Sequence, residues 1–227
     1  AGSDQWGNIT SGIELTRKKL GKEIYGMVMP LVTDSNGVKF GKTEGNALWL
    51  DKNKTSSYEL YQYLINLEDS MIVDYLKKLT FLSKEEIEEI EEKHLKNPEL
   101  RQAHKALARE VITDLHGKKE YEKAVKISEA LFSGNIKSLD KDEILMCFKN
   151  VPSFDIEDSS KLIDVLINNN ICSSRREARE FLNAGSITIN DEKVKDENML
   201  ITKDIAIDNE IIVLKRGKKK NYICKIK

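Results

Sequence analysis

Between Thr55 and Asn150 the chain offers helix starts, helix stops and apolar residues at helical spacing, and little that reads as a strand. Thr55-Ser56-Ser57 supplies hydroxyl caps ahead of Tyr58, Tyr61, Leu64 and Ile65, which share one helical face. Ser83-Lys84-Glu85-Glu86 has the Ser-x-x-Glu spacing in which side chains and backbone satisfy one another at a helix start, opening a helix through Ile87 and Ile90. Asn97-Pro98 restarts the chain, since the missing proline N–H costs nothing in a first helical turn, and Gly117 stops the next helix. Another helix carries Tyr121, Val125, Ile127, Ala130 and Leu131 to Gly134, and Asp140 caps one more with Ile144, Leu145 and Phe148. Such short connections fold helices back on one another, so residues 51–150 are expected to form an all-α bundle. Tyr58, Tyr61 and Tyr63 offer rings on which bases could stack. At helical spacing, Tyr58 and Tyr61 are expected in the core instead.

The two ends differ from this middle. Turn formers fill Ala1 to Asn8, followed by a helical pattern at Ile9, Ile13 and Leu20. Met27-Val28-Met29-Pro30-Leu31-Val32 then reads as a short buried strand or extended segment, ending in the turn Asp34-Ser35-Asn36-Gly37. One helix and one strand cannot bury each other as stable layers. Residues 1–50 are therefore expected to be the edge of a larger sheet domain. Beyond the bundle, residues 151–160, with Pro152, acidic residues and serines, are expected to be a linker. Leu162, Val165, Leu166 and Ile171 suggest one helix, and Ser174 caps a second through Ala178, Phe181 and Leu182 to a stop at Gly185. Ser186 to Asp191 alternates as a strand into a polar turn. Ile211–Leu214 and Tyr222–Cys224 flank Arg216-Gly217-Lys218-Lys219-Lys220-Asn221 as a basic hairpin.

Composition narrows the classes. A chain of 227 residues with 40% hydrophobic and 33% charged residues can bury cores and stay well solvated. No apolar run approaches a membrane span, and no charged-then-apolar leader opens the sequence. Cys147, Cys172 and Cys224 lie far apart and are expected as reduced thiols of a cytoplasmic protein. His94, His104 and His116 lack ligand spacing and are expected on helix surfaces, with no protein metal site. The net charge is only −1, yet residues 171–227 hold 13 Lys and Arg against nine Asp and Glu, a net +4 that leaves −5 on the rest. A balanced total hides a basic end.

Three constellations carry chemistry. Lys39-Phe40-Gly41-Lys42-Thr43 places two ammonium groups around a small centre just beyond a turn, which suits a site where negative charge develops and departs as pyrophosphate. Gly-Lys-Thr also ends the P-loop motif, but Asn36 stands where that motif needs its first glycine, and Glu44-Gly45-Asn46 is a poor helix start. Gly2 allows close backbone approach, the Asp4 carboxylate can accept from ribose hydroxyls, and Gln5 can both donate and accept. The plainer reading of that opening is a turn leading into a helix. Near the other end, Arg175 and Arg179 share a helix face beside Arg176, with Lys215, Arg216, Lys218, Lys219 and Lys220 as a second basic group suited to phosphates.

These residues, in this order, resemble the bacterial tyrosyl-tRNA synthetases. The likeness runs through Gly2–Asn8, Pro30–Thr33, Lys39–Thr43, Trp49–Asp51, Phe81–Glu86, Ser128–Gly134 and Val151–Phe154, and so covers essentially the whole chain. The resemblance implies that Lys39–Thr43 is a KMSKS-type loop of a class I aminoacyl-tRNA synthetase. Lys42 would then contact ATP phosphates, Lys39 would stabilise the transition state of adenylate formation, and Gly2, Asp4 and Gln5 would lie against tyrosyl-adenylate. Ser173–Arg179 followed by Gly185–Asn190 resembles the RNA-binding module named for the fourth protein of the small ribosomal subunit. The implied fold is α+β and multidomain. It comprises the edge of a Rossmann-like catalytic domain at 1–50, a helical anticodon-side domain at 51–150, a linker at 151–160 and an RNA-binding module at 161–227.

The implied activity is ATP-dependent activation of tyrosine and its transfer to tRNA(Tyr), with Mg2+ as the ATP counterion and a homodimeric parent. The family's HIGH signature and tyrosine pocket are not in this sequence. The alternative expectation is therefore that this polypeptide alone is a non-catalytic RNA-binding fragment.

Overall fold

Local capping chemistry sets the helices. In the computed structural model, which describes residues 1–38, 48–217 and 220–227, the chain forms two compact units. One unit comprises residues 1–55 and 63–111, and the other 56–62 and 112–227.

The first unit opens with a 3-10 turn, Ser3–Gln5, continuing into α1 (Trp6–Leu20), which ends at the left-handed Gly21. Of the two readings of Met27–Val32, a short buried strand or an extended segment, the strand fails: none of these residues is buried, and Met27 is 77% accessible. The segment's main-chain pairing is one isolated parallel bridge between Gly2 and Met29, so the described chain lays no sheet over it. None of the described residues among the first fifty is buried. The core of this unit comes from later: Ile72, Tyr75 and Leu76 of α3 (Ile72–Leu79), Ile87 of α4 (Lys84–Lys96), and Ala103, Ala106, Leu107 and Ala108 of α5 (Gln102–His116). Ser83 and Glu86 complete the expected capping box at α4. Pro98 starts a 3-10 turn, Pro98–Leu100, and α5 begins only after the left-handed Arg101. The helix α2 (Ser57–Ile65) connects the units in sequence, and Ser56 exchanges cap hydrogen bonds with Glu59 at its start.

The second unit is a sheet with helices on both faces. Its helices are α6 (Lys118–Ser133), α7 (Lys141–Cys147), α8 (Leu162–Asn168) and α9 (Arg175–Asn183). Gly134 ends α6 in the left-handed region, and Asp140 makes a capping box with Glu143 at α7. The strands are β1 (Ser153–Ile156), β2 (Ser160–Lys161), β3 (Ile187–Ile189), β4 (Glu192–Lys193), β5 (Leu200–Ile201), β6 (Ile211–Arg216) and β7 (Lys220–Ile226). Five form one sheet in the order β1-β7-β6-β3-β4, while β2 and β5 pair separately. The hairpin β6–β7 is antiparallel, as expected, with Arg216 opposite Lys220.

One expectation fails here. Residues 151–160 are not a free linker, because β1 pairs in parallel with β7 through four residues, Ser153 to Ile156. Pro152 precedes the strand at the sheet edge and accepts a hydrogen bond from the Ile223 N–H, a position where its missing N–H does no harm. The sheet is also covered on both sides. Ile212, Leu214, Cys224 and Ile226 pack with α8 and α9, while Ile211, Val213 and Ile223 pack with Ile127 and Ala130 of α6 and Ile144 of α7. The strand period of two sends successive side chains to opposite cores, which explains the unbroken apolar run Ile211–Leu214. Tyr61 is buried, and Tyr58 packs against the core formed with α6 and α7, in keeping with their helical spacing.

Candidate functional site

The loop residues Lys39, Lys42 and Thr43 lie outside the described residues, as do Lys218 and Lys219. What the structure describes is how both flanks of the 39–47 segment are held. On the entry side, the buried Tyr75 of α3 donates its phenolic O–H to the Thr33 carbonyl at 2.9 Å, and Lys78 reaches the Leu31 carbonyl at 3.5 Å. Burial raises the Tyr75 pKa, keeping the hydroxyl protonated as a donor. Asp34 then closes the turn, accepting from the N–H groups of Asn36 (2.9 Å) and Val38 (2.8 Å), while Gly37 supplies the positive φ of 79° that a side chain would strain. On the exit side, the Trp49 N–H donates to Thr55 Oγ1 at 2.9 Å, and the Lys54 ammonium lies 4.1 Å from the Trp49 ring centroid. Asp51 accepts from the N–H groups of Lys54 and Thr55 through its own carbonyl. Tyr75 has no place in the sequence reading, and Thr55 appears there only as a helix cap; the structure makes both of them anchors of these flanks. The only signal in the sequence was a tyrosine and a threonine of ordinary kind.

The turn that carries Gly2, Asp4 and Gln5 is bonded to the entry segment. The Ser3 N–H donates to the Met29 carbonyl (3.1 Å), and the Met29 N–H to that of Ala1 (3.0 Å). A Cβ on Gly2 would stand 2.5 Å from Leu31 Cδ2 and 2.7 Å from Asp4 Oδ1, so a side chain here would make both of those side chains shift. Asp4 and Gln5 are exposed on the 3-10 turn; Gln5 Nε2 donates to Asp4 Oδ2 at 3.3 Å and its Oε1 accepts from Asn8 at 2.8 Å. The segment 29–33 thus connects the Gly2 turn directly to the anchored entry of the loop.

In the second unit, Arg175, Arg176 and Arg179 extend from α9, whose start is capped by Ser174. Each has a carboxylate partner: Asp164 at 2.7 Å for Arg175, Glu180 at 3.1 Å for Arg176 and Glu197 at 2.5 Å for Arg179. All three guanidinium groups remain mostly solvent-exposed, so these pairs are weak and exchangeable. Lys215 is half-buried in β6, and Lys220 is exposed at the start of β7. Arg216 differs from both groups. Its side chain is only 17% accessible, donates to the Ile171 carbonyl, lies 5.0 Å from the Phe181 ring centroid and faces Glu177 at 3.7 Å. Glu177 in turn accepts from both the N–H and the hydroxyl of Ser173, and these hydrogen bonds, with Arg216, hold its pKa below the usual carboxylate value. This contact ties the basic hairpin to the arginine helix. Sequence pattern could not supply it, since Glu177 reads simply as an early-helix acid.

Comparison with known proteins agrees with this arrangement in order and extent. Residues 1–133 match the family model described as tRNA synthetases class I (W and Y). Residues 143–224 match that of the tyrosine–tRNA ligase SYY-like C-terminal domain. The chain is 49% identical over 229 residues to a tyrosine–tRNA ligase of Mesoplasma florum, covering all of this chain and 55% of that protein. It is 50% identical over 226 residues to tyrosine–tRNA ligase 2 of Enterococcus faecalis, covering 99% of this chain and 54% of the relative. The tyrosine–tRNA ligase of Bacillus pumilus gives the same identity and length, covering 98% and 54%. The chain therefore spans about half the length of the curated relatives it matches.

Proposed function

This chain belongs to the class I tRNA synthetases (W and Y), and from that premise we propose that the whole protein is a tyrosine–tRNA ligase. It joins tyrosine to ATP as tyrosyl-adenylate, releasing pyrophosphate, and then transfers tyrosine to tRNA(Tyr). The observation that carries this reading is that the residues on either side of 39–47 are held, Thr33 by Tyr75 and Trp49 by Thr55, with the Gly2–Gln5 turn bonded to Met29 on the entry flank. A loop with anchored flanks can carry cations to a phosphate chain and withdraw them without disturbing the domain. Lys39 and Lys42 act by charge stabilisation of the departing pyrophosphate, with Thr43 as a hydroxyl contact; neither lysine serves as acid, base or nucleophile. Mg2+ accompanies ATP as its counterion. Gly2, Asp4 and Gln5 bind the adenylate, using the exposed carboxylate and amide on the turn.

For RNA, Arg175, Arg176 and Arg179 exchange their exposed carboxylate partners for phosphates, and Lys215, Lys218, Lys219 and Lys220 extend the basic surface. We read residues 161–227 as a module of the ribosomal small-subunit protein four type. The helical stretch 51–150 faces the anticodon arm, and the whole protein is a cytoplasmic homodimer. Among the described residues no helix is long and apolar enough to cross a membrane.

Pyrophosphate exchange in the whole protein tests the loop. Lys42→Ala is expected to slow exchange by at least about a hundredfold, the scale of a lost charge contact in a transition state, while tyrosine affinity stays within about twofold. Equal losses in both would remove the assigned role. A second reading, that this 227-residue polypeptide alone binds tRNA without forming adenylate, rests on its half-length match. Robust exchange by the isolated polypeptide would exclude it.

A further inference from the structure

Asp69, His94 and His104 stand far apart in sequence, yet the first unit brings them together. Asp69 opens the 3-10 turn Asp69–Met71, His94 lies in the last turn of α4 and His104 in the first turn of α5. Contrary to the expected helix-surface placement, His94 is 4% and His104 0% accessible, while Asp69 is exposed. His94 Nε2 is 3.1 Å from Asp69 Oδ1; His104 Nε2 is 3.7 Å from the same oxygen and 3.0 Å from the Leu67 carbonyl. The donor atoms of the three side chains all lie within 4.8 Å of one another, and the two rings meet edge to face. Both Nδ1 atoms are buried with no partner among the described residues.

This convergence exceeds what a hydrogen-bond staple requires. A tetrahedral ion with donor bonds of about 2.0–2.1 Å has donor–donor edges of about 3.3 Å. Three of the six edges, at 3.0, 3.1 and 3.7 Å, lie near that value, and the side-chain donor atoms all lie within 4.8 Å of one another. Two imidazoles, one carboxylate and a main-chain carbonyl suit a borderline ion of the zinc class; calcium and magnesium prefer more oxygen ligands. Each Nε2 faces an oxygen acceptor and carries the ring proton in the ion-free protein; neither Nδ1 has a partner, so ion binding would move that proton to Nδ1 and free the Nε2 lone pair. The exposed side of Asp69 provides the entry path. We propose that Asp69, His94 and His104 form a site for a zinc-class divalent ion, with the Leu67 carbonyl as fourth donor. The ion would clamp the turn before α3 to α4 and α5, a role beyond the proposed ligase chemistry.

The test uses the whole protein, stripped by a chelator and titrated with Co2+. One saturable Co2+ per chain is expected, with visible ligand-field absorption of tetrahedral type, displacement by Zn2+ and a rise in the thermal midpoint. His94→Gln and His104→Gln should each weaken binding tenfold or more and abolish the visible band. Because both histidines are buried, Asp69→Asn provides the matching variant at an exposed position. With its circular dichroism unchanged, it should lose the midpoint rise and at least tenfold in affinity. Absence of saturable binding to the unmodified protein, or binding that persists unchanged in Asp69→Asn and in the double histidine variant, overturns the site.

Discussion

Arg216→Lys separates a structural guanidinium from an RNA contact, because it preserves charge and removes shape. The native side chain donates to the Ile171 carbonyl, a charged hydrogen bond worth about 1.5–3 kcal/mol. Its stacking over Phe181 adds about 0.5–2 kcal/mol at this degree of burial. The 3.7 Å pair with Glu177 adds little, since Glu177 is solvated. Lysine keeps the charge and can still reach one acceptor, but it lacks the planar fork that stacks and donates together. A net local loss of about 1–3 kcal/mol follows from these contributions. Hydrogen exchange of the β6 and β7 amides reads that loss directly, without assuming that both units unfold together. Exchange at Val213, Leu214 and Tyr222 is expected to quicken by about tenfold to a hundredfold, at about 1.4 kcal/mol per decade. tRNA affinity in low salt should fall less than the same protein's Arg176→Lys,Arg179→Lys double variant. Unchanged exchange together with a tenfold loss of tRNA affinity would refute the structural assignment and make Arg216 a phosphate contact.

Tyr75→Phe removes the O–H that holds the Thr33 carbonyl, and is expected to cost about 1–2 kcal/mol of local stability. Pyrophosphate exchange in this variant should show a lower kcat with an unchanged KM for tyrosine, measured in the whole protein. Ile144→Ala empties a fully buried position between α7 and the sheet, with an expected loss of about 2–5 kcal/mol by urea denaturation of the second unit. Burial pushes Tyr61, Cys147 and Cys224 up to about 12 from their ordinary values of 10 and 9. The unfolded chain therefore releases these protons first, so stability should hold below pH 9 and fall as pH rises from 9 towards 12. A flat stability profile over that range would contradict the burial. Raising salt should weaken tRNA binding linearly on a log–log plot, and Arg176→Gln should reduce the slope by about one phosphate contact.

Features that depend on a few neighbouring residues could be read directly along the chain. Ser83 with Glu86, Asp140 with Glu143 and Ser174 with Glu177 announce helix starts because a cap is made within one turn. Gly117, Gly134 and Gly185 mark stops because each takes a positive φ that other residues resist. The order of motifs from Gly2 through Lys39–Thr43 to Arg179 was legible for the same reason, each being a short run.

Tertiary structure decided whatever joins distant residues. Ser153–Ile156 resembles a linker until β7 provides a parallel partner, since a strand without a neighbour has no hydrogen-bond ladder. Met27–Val32 shows the converse, an apolar run left exposed where the described chain supplies no sheet to cover it. Arg216 reads as one more cation in a basic hairpin, and only the fold places Ile171, Phe181 and Glu177 around it. His94 and His104 look like surface residues on two helices, yet the turn at Asp69 and the packing of α4 and α5 bury them side by side. Spacing along the chain reports contacts within a helix or strand; what two elements bring to each other depends on how they pack.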